Sequence, residues 1–337
     1  MLLYSLNKRE LETGMQGTIL LPTAAAETRA IRAEASNARI RPCEWVVLVF
    51  LVYTIALALI FPLAPVVKNR LTLVNCAVVL AYGALVHSDC RKCTPAIAVA
   101  RDWLPLSLTL LAYREMGWFA LAHSDHSMES RLVVLDRLFL HGGGKAVIEG
   151  LGPVLPAILE TAYALVYALA PASLALLYLY GCRRRADRFL FVFVLGVLLC
   201  YCQFPFWPSD PPRTVFFGDD FPSYNSVIRR FNWWMLGNYG IHTSVFPSAH
   251  VAGGFSAAFG MQLALPERRW VSRFLFATAV LIAIATVYGR YHYLADGLAG
   301  LTMAIFARAA VNLADRHAGR KSMPPHIAAG VAEHAGD

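Results

Sequence analysis

His292 and Asp296 stand four residues apart in YGRYHYLADGLAG (Tyr288 to Gly300), so on a helix they share one face. A carboxylate one turn from an imidazole holds one ring nitrogen protonated and leaves a lone pair on the other. His292 is then a nucleophile or base, and Asp296 its orienting partner. A second histidine, His250, follows Pro247 and Ser248 in FPSAHVAGG (Phe246 to Gly254), at the start of another apolar stretch. Proline suits a first helical turn, a serine hydroxyl can donate, and the N–H groups of a helix start attract an anion. Arg213 in WPSDPPR and Arg290 beside His292 offer guanidinium forks for phosphate oxygens.

This set fits phosphoryl transfer with no metal and no other cofactor. His292 attacks phosphorus in line, His250 protonates the leaving oxygen, and the phosphohistidine passes its group to water or to an alcohol. The candidate catalytic residues are His292, Asp296 and His250; the candidate phosphate ligands are Arg213, Ser248 and Arg290. A lone histidine at a membrane interface is more often a bystander, and His-x-x-x-Asp alone recurs by chance. The specificity lies in the combination.

The elements that must position these residues are apolar helices. The chain has 337 residues, of which 57% are hydrophobic and only 15% charged, more apolar surface than a soluble domain can bury. The expected fold is an all-α integral membrane bundle of about eight transmembrane helices. The spans are placed at about 45–67, 71–87, 103–121, 155–180 (with a kink at Pro171), 189–206, 246–265, 273–288 and 291–313, each near the length a bilayer requires. Residues 1–42 read as a cytoplasmic tail with a surface helix, 43–186 as N-terminal transmembrane helices with an outer loop, 187–315 as the catalytic core and 316–337 as a disordered cytoplasmic tail.

The net charge of +8 sits in short clusters between apolar runs, without the interleaved aromatics of a nucleic-acid stripe. No nucleic-acid partner is expected; the partner is the bilayer. The clusters at Arg39 and Arg41, at Arg91, Lys92 and Arg101, at Arg183 to Arg185 with Arg188, at Arg268 and Arg269, and at Arg316, Arg320 and Lys321 all fall on one side, which should be cytoplasmic; the opposing loops hold fewer, with Lys68, Arg70 and the Arg229/Arg230 pair as exceptions. WPSDPPR and both histidine helix starts then face outward, and antiparallel helices can bring His250 to His292. The expected location is the plasma (inner) membrane, multi-pass, with the site on the non-cytoplasmic face. Cys90 and Cys93 form a single CxxC without a second ligand pair, which argues against zinc there.

FPSAH, RYHYLAD and WPSDPPR resemble the three motifs of the type 2 phosphatidic acid phosphatase superfamily, over roughly residues 190–313. The resemblance implies a helical core with His292 as nucleophile, Asp296 as its partner, His250 as general acid, and Arg213 and Ser248 as phosphate ligands. The widespread pattern has a lysine before the first-motif arginine, absent from 202–212; Ser-Gly-His where this chain has Ser248-Ala249-His250; and an arginine where this chain has Thr286. Arg290 is the candidate to supply the missing charge. In these departures the chain is more similar to the inositol phosphorylceramide synthase branch, which also resembles it faintly at Asp102, Trp103, Pro105 and Glu160.

The expected activity is therefore a lipid phosphotransferase of inositolphosphotransferase style, with a lipid phosphate donor and an alcohol or lipid acceptor. The alternative is a lipid phosphate or polyprenyl diphosphate phosphatase with water as acceptor. A transporter or structural membrane protein is a third reading, but no inverted repeat supports it. Haloperoxidase chemistry needs a fuller basic cage than this chain has. Arg114, Glu115 and Glu160 stand inside apolar spans and must either pair or line a lipid-entry cavity. Gly253, Gly254, Gly297 and Gly300 read as helix-packing positions.

Overall fold

The computed structural model describes residues 40–92, 94–120, 123–243 and 245–322, with side chains except at 90–92 and 314–322. The expected N-terminal surface helix, Cys93 and the Cys90 side chain lie outside the described residues, as does the tail from residue 323. The described residues hold helices and no strand.

Three helices in succession begin at a proline, whose missing N–H costs nothing in a first turn: α1 (Pro42–Ile60), α2 (Pro65–Lys92) and α3 (Pro95–Phe119). Thr94 caps α3 by accepting from the Ile97 N–H. An amphipathic α4 (Ser127–Phe139), a π turn and a short α5 (Lys145–Glu149) lead into α6 (Val154–Leu179). α7 (Ala186–Tyr201) follows, then a long excursion carrying α8 (Pro212–Val215) and α9 (Val227–Tyr239). The chain ends in α10 (Ala249–Ala264), α11 (Arg269–Tyr288) and α12 (Leu294–Ser322).

Among the described residues, seven helical segments are long and apolar enough to cross a membrane, one fewer than the sequence suggests. The exception is α10, whose 16 residues rise about 24 Å, short of a hydrocarbon core of about 30 Å. It sits centrally, packed on α6, α7, α11 and α12. Its small residues let neighbours approach closely: a Cβ on Gly260 would lie 3.0 Å from the Phe189 carbonyl oxygen, and one on Gly254 3.3 Å from the Ala279 Cα. The expected first span at 45–67 is also divided, because Pro62 holds Phe61 extended and Pro65 opens the next helix. At the far end α12 continues to Ser322, so helix replaces the first residues of the expected disordered tail. Pro171 lies within one continuous helix.

Large apolar side chains cover the outside, among them Leu59, Leu73, Leu80, Leu179, Phe274 and Phe306, the surface expected of a body solvated by lipid. One end of the bundle gathers Arg41, Glu44, Asp89, Arg101, Asp102 and Arg183 in ion pairs. Arg185 pairs there with Glu267 and donates to the Ala264 carbonyl, which places the C-terminal end of α10 at this cluster. The N-terminal end of α10, with His250, is the opposite one.

Candidate active site

α11 ends at Tyr288 and α12 begins at Leu294, and the turn between them is set by Arg290, a non-glycine residue at φ 62°. That left-handed conformation is uncommon for a side chain of this size and is held from several sides. The Arg290 carbonyl accepts from the Arg213 N–H, and the Thr286 carbonyl accepts from both Tyr291 and His292. The next helix then starts with its own carboxylate in place: Asp296 accepts from the Tyr293 N–H at 3.0 Å and lies 3.4 Å from His292 Nδ1. The Asp296 backbone carbonyl takes the Ser248 N–H at 3.0 Å, which fastens the start of α12 to the start of α10. Gly300 permits this approach, since a Cβ there would lie 2.3 Å from the Ser248 carbonyl oxygen.

The two histidines meet. His250 Nδ1 and His292 Nε2 are 3.1 Å apart, although 42 residues separate them in the chain. Tyr163 and Tyr167 of α6 bring their hydroxyls to 3.4 and 3.3 Å from His250 Nε2. One set of tautomers, assigned from the hydrogen bonding, satisfies the whole row: a tyrosine O–H donates to His250 Nε2, His250 Nδ1–H donates to His292 Nε2, and His292 Nδ1–H donates to Asp296. In that state His292 keeps its Nε2 lone pair directed toward His250. Tyr163 also stacks on Tyr291, with ring centroids 4.0 Å apart, and on His250 at 5.0 Å.

Both histidines open onto a cavity of about 650 Å³. Its walls are mainly apolar, from Trp103, Leu110, Val166, Phe193, Tyr201 and Phe204 among others, and two arginines, Arg114 and Arg213, reach it. Among the described residues, no carboxylate lines it. Arg213 donates to the Tyr291 carbonyl at 3.3 Å, Arg114 to the Tyr239 carbonyl at 3.1 Å, and neither has a carboxylate partner among the described residues. Burial pushes the Arg213 guanidinium below its usual range, as expected for a cation taken out of water without a counter-ion.

Two sequence-derived ligands stand elsewhere. Ser248 is fully buried as the N-cap of α10, its hydroxyl accepting from the Val251 N–H, and it does not line the cavity. Arg290 is also fully buried; it donates to Asp136 of α4 at 2.6 Å, lies 3.8 Å from Asp220, and does not line the cavity. A guanidinium closed onto carboxylates is not the spare charge expected of it; Arg114 is better placed. Of the other ionisable residues inside spans, Glu160 is paired with Arg229 at 2.7 Å and accepts from Asn232 and Tyr291. Glu115 is buried beside Asn75, at 3.2 Å, and away from the cavity. Gly253, expected to serve packing, lines the cavity instead.

Sequence reasoning passed over Tyr163, Tyr167 and the cavity-facing position of Arg114. A tyrosine pair four residues apart is a weak signal in a helix this apolar, because nothing local relates it to a histidine more than eighty residues away.

Residues 145–310 match the PAP2 superfamily, so the C-terminal half of the chain carries a domain of that family, and all six candidate residues lie inside it. A PA-phosphatase related-family protein of Dictyostelium discoideum is 35% identical over 106 residues, which is 30% of this chain and 18% of that relative. The chain thus spans less than a fifth of the length of the curated relative it matches. No solved structure matches.

Proposed function

We propose that this protein is an integral-membrane lipid phosphotransferase, similar to the inositolphosphotransferases, that works through a phosphohistidine. The observation that carries the reading is the junction of the His250–His292 pair with an apolar cavity whose only charged lining groups among the described residues are two arginines, without carboxylate partners among those residues. Such a cavity fits an anionic amphiphile: apolar walls for chains, guanidinium forks for a phosphate. The phosphate oxygens meet Arg213 and Arg114. As the anionic phosphate enters, His250 takes up a second proton and turns from His292 to the leaving oxygen. His292 Nε2 then forms the bond to phosphorus while the bond to that oxygen breaks, and the His250 imidazolium gives the oxygen its proton and returns to the neutral ring. Asp296 stabilises the cation that develops on His292.

In the second half-reaction His250 takes the proton of an incoming hydroxyl, whose oxygen attacks phosphorus and releases His292. A lipid or other alcohol completes a transfer; water completes a hydrolysis. The phosphatase reading with a lipid phosphate or polyprenyl diphosphate shares every group in this scheme. The transferase reading is favoured by the departures from the widespread phosphatase pattern, with no lysine in 202–212 and Thr286 where that pattern has an arginine. The arginine-rich end of the bundle lies opposite the histidines, and the proposed arrangement therefore has the site on the non-cytoplasmic face of the plasma (inner) membrane.

The test uses purified protein in lipid with phosphorus-labelled phosphatidic acid, polyprenyl diphosphate or phosphatidylinositol, with and without diacylglycerol or ceramide. Label in a new lipid only when acceptor is present is the expected result. Free phosphate released at the same rate without acceptor overturns the transferase in favour of the phosphatase. No turnover of any donor overturns both.

A further inference from the structure

Four side chains meet outside the catalytic cavity. His123 and His126 precede α4, Glu129 lies in its first turn, and Asp210 comes from WPSDPPR, three residues before Arg213. One ligand atom of each lies within 4.8 Å of the others. His123 Nε2 is 2.8 Å from Glu129 Oε1; His126 Nδ1 is 3.8 Å from both Glu129 Oε1 and Asp210 Oδ2. None of the four lines the cavity.

Glu129 is the group that asks for a cation. It is fully buried, its Oε1 takes the Asp210 N–H at 2.7 Å, and its Oε2 has no hydrogen-bond partner. No lysine or arginine pairs with it among the described residues. His126 Nδ1 is likewise buried as an atom and without a hydrogen bond. A carboxylate with one buried oxygen unpartnered, a buried ring nitrogen 3.8 Å from its other oxygen, and a second imidazole and a second carboxylate within 4.8 Å form the donor set of a divalent transition metal.

We propose that His123, His126, Glu129 and Asp210 bind one Zn²⁺. Two imidazole nitrogens and two carboxylate oxygens suit a closed tetrahedral site, and the present spacings need only small side-chain shifts to reach metal–ligand bonds of roughly 2.0–2.2 Å. The role is structural. The ion joins α4 to the loop that delivers Arg213, and the same loop is held to the catalytic turn by Tyr293, whose hydroxyl donates to the Asp210 carbonyl at 3.0 Å. It touches no reacting atom, so it leaves the histidine chemistry as described.

The experiment measures zinc in the full-length protein, freed of any affinity tag, stripped with a chelator and given Zn²⁺ alone, by elemental analysis and by competition with a chromophoric chelator. Parent protein should take up close to one zinc per chain and melt at a higher temperature with it. Glu129→Gln should weaken zinc by more than about tenfold. His126, whose side chain is 40% exposed, gives a variant, His126→Ala, that decides the matter should Glu129→Gln not fold. Parent protein that takes up no stoichiometric zinc overturns the proposal, and so does zinc retained unchanged in the variants. Neither readout depends on turnover, so this site and the phosphotransferase reading stand or fall separately.

Discussion

At the arginine-rich end of the bundle, guanidinium groups close onto carboxylates: Arg101 on Glu44 and Asp89, each at 2.6 Å, Arg183 on Asp102 at 2.7 Å, and Arg41 on Asp102 as well. At the histidine end, Arg213 and Arg114 donate to backbone carbonyls and face a cavity that no carboxylate among the described residues lines. The first arrangement neutralises its charges and fixes α1, α2 and α3 to one another and to the turn between α6 and α7. The second leaves its positive charge without a carboxylate among the described residues, on a half-buried Arg213 and on an Arg114 exposed enough to keep its water. Within the histidine end, Arg290 on Asp136 and Arg229 on Glu160 follow the first pattern, so adjacency to the site does not make an arginine a ligand.

The comparison breaks first at the histidines. His292→Ala should abolish turnover, and His250→Ala should lower it by about 100-fold or more, since a positioned general acid alone contributes 10²–10⁴. Both variants should keep the parent's gel-filtration profile; turnover within a few-fold of parent would end the phosphohistidine mechanism. The paired end should answer in stability instead. Glu44→Ala removes the fully buried partner of Arg101 and leaves Asp89 as its carboxylate; it should cost about 1.5–3 kcal/mol, read as a lower melting temperature in detergent, with kcat of the surviving protein near that of the parent.

Arg213→Ala should sharpen the contrast from the other side. Losing a charge-assisted phosphate contact of about 1.5–3 kcal/mol should lower kcat/KM by about 10- to 100-fold with little change in melting temperature. Arg290→Ala should do the reverse, lowering the melting temperature because it strands Asp136. An Arg290 variant of normal stability that fails only in substrate binding would restore its assignment as a phosphate ligand. The smallest effect is expected from Tyr163→Phe, which removes one of two hydroxyls on His250 Nε2: a few-fold loss in kcat, corresponding to about 1 kcal/mol. The Tyr163→Phe, Tyr167→Phe double variant should exceed the sum of the singles, because either hydroxyl alone can satisfy the ring nitrogen.

Much of this was readable in the linear chain, and for local reasons. Helical spans follow from runs of apolar residues, the His292–Asp296 relation from a spacing of one helical turn, and the placement of His250 after a serine cap from the preference of helix starts. Even the meeting of the two histidines was accessible, since two antiparallel helices return the chain to the level at which it left. The break in the first span is local too: Pro62 and Pro65 decide it.

The rest depended on what stands beside what. Arg290 looks like a phosphate ligand by its place next to His292, yet its side chain finds Asp136, a residue more than 150 positions earlier. Ser248 looks like a donor to phosphate, but its hydroxyl is turned inward by its own helix. Arg114 and Glu115 are neighbours in sequence and therefore project to different sides of α3, one to the cavity and one into the packing between helices. The sequence by itself determined a membrane-spanning helical bundle and the residues capable of the chemistry, because those rest on periodicity and residue type. Only the tertiary structure decided which charges are spent on pairing and which are left to meet a substrate, because a charge is neutralised by whatever lies within a few ångströms, and that is set by packing, not by order along the chain.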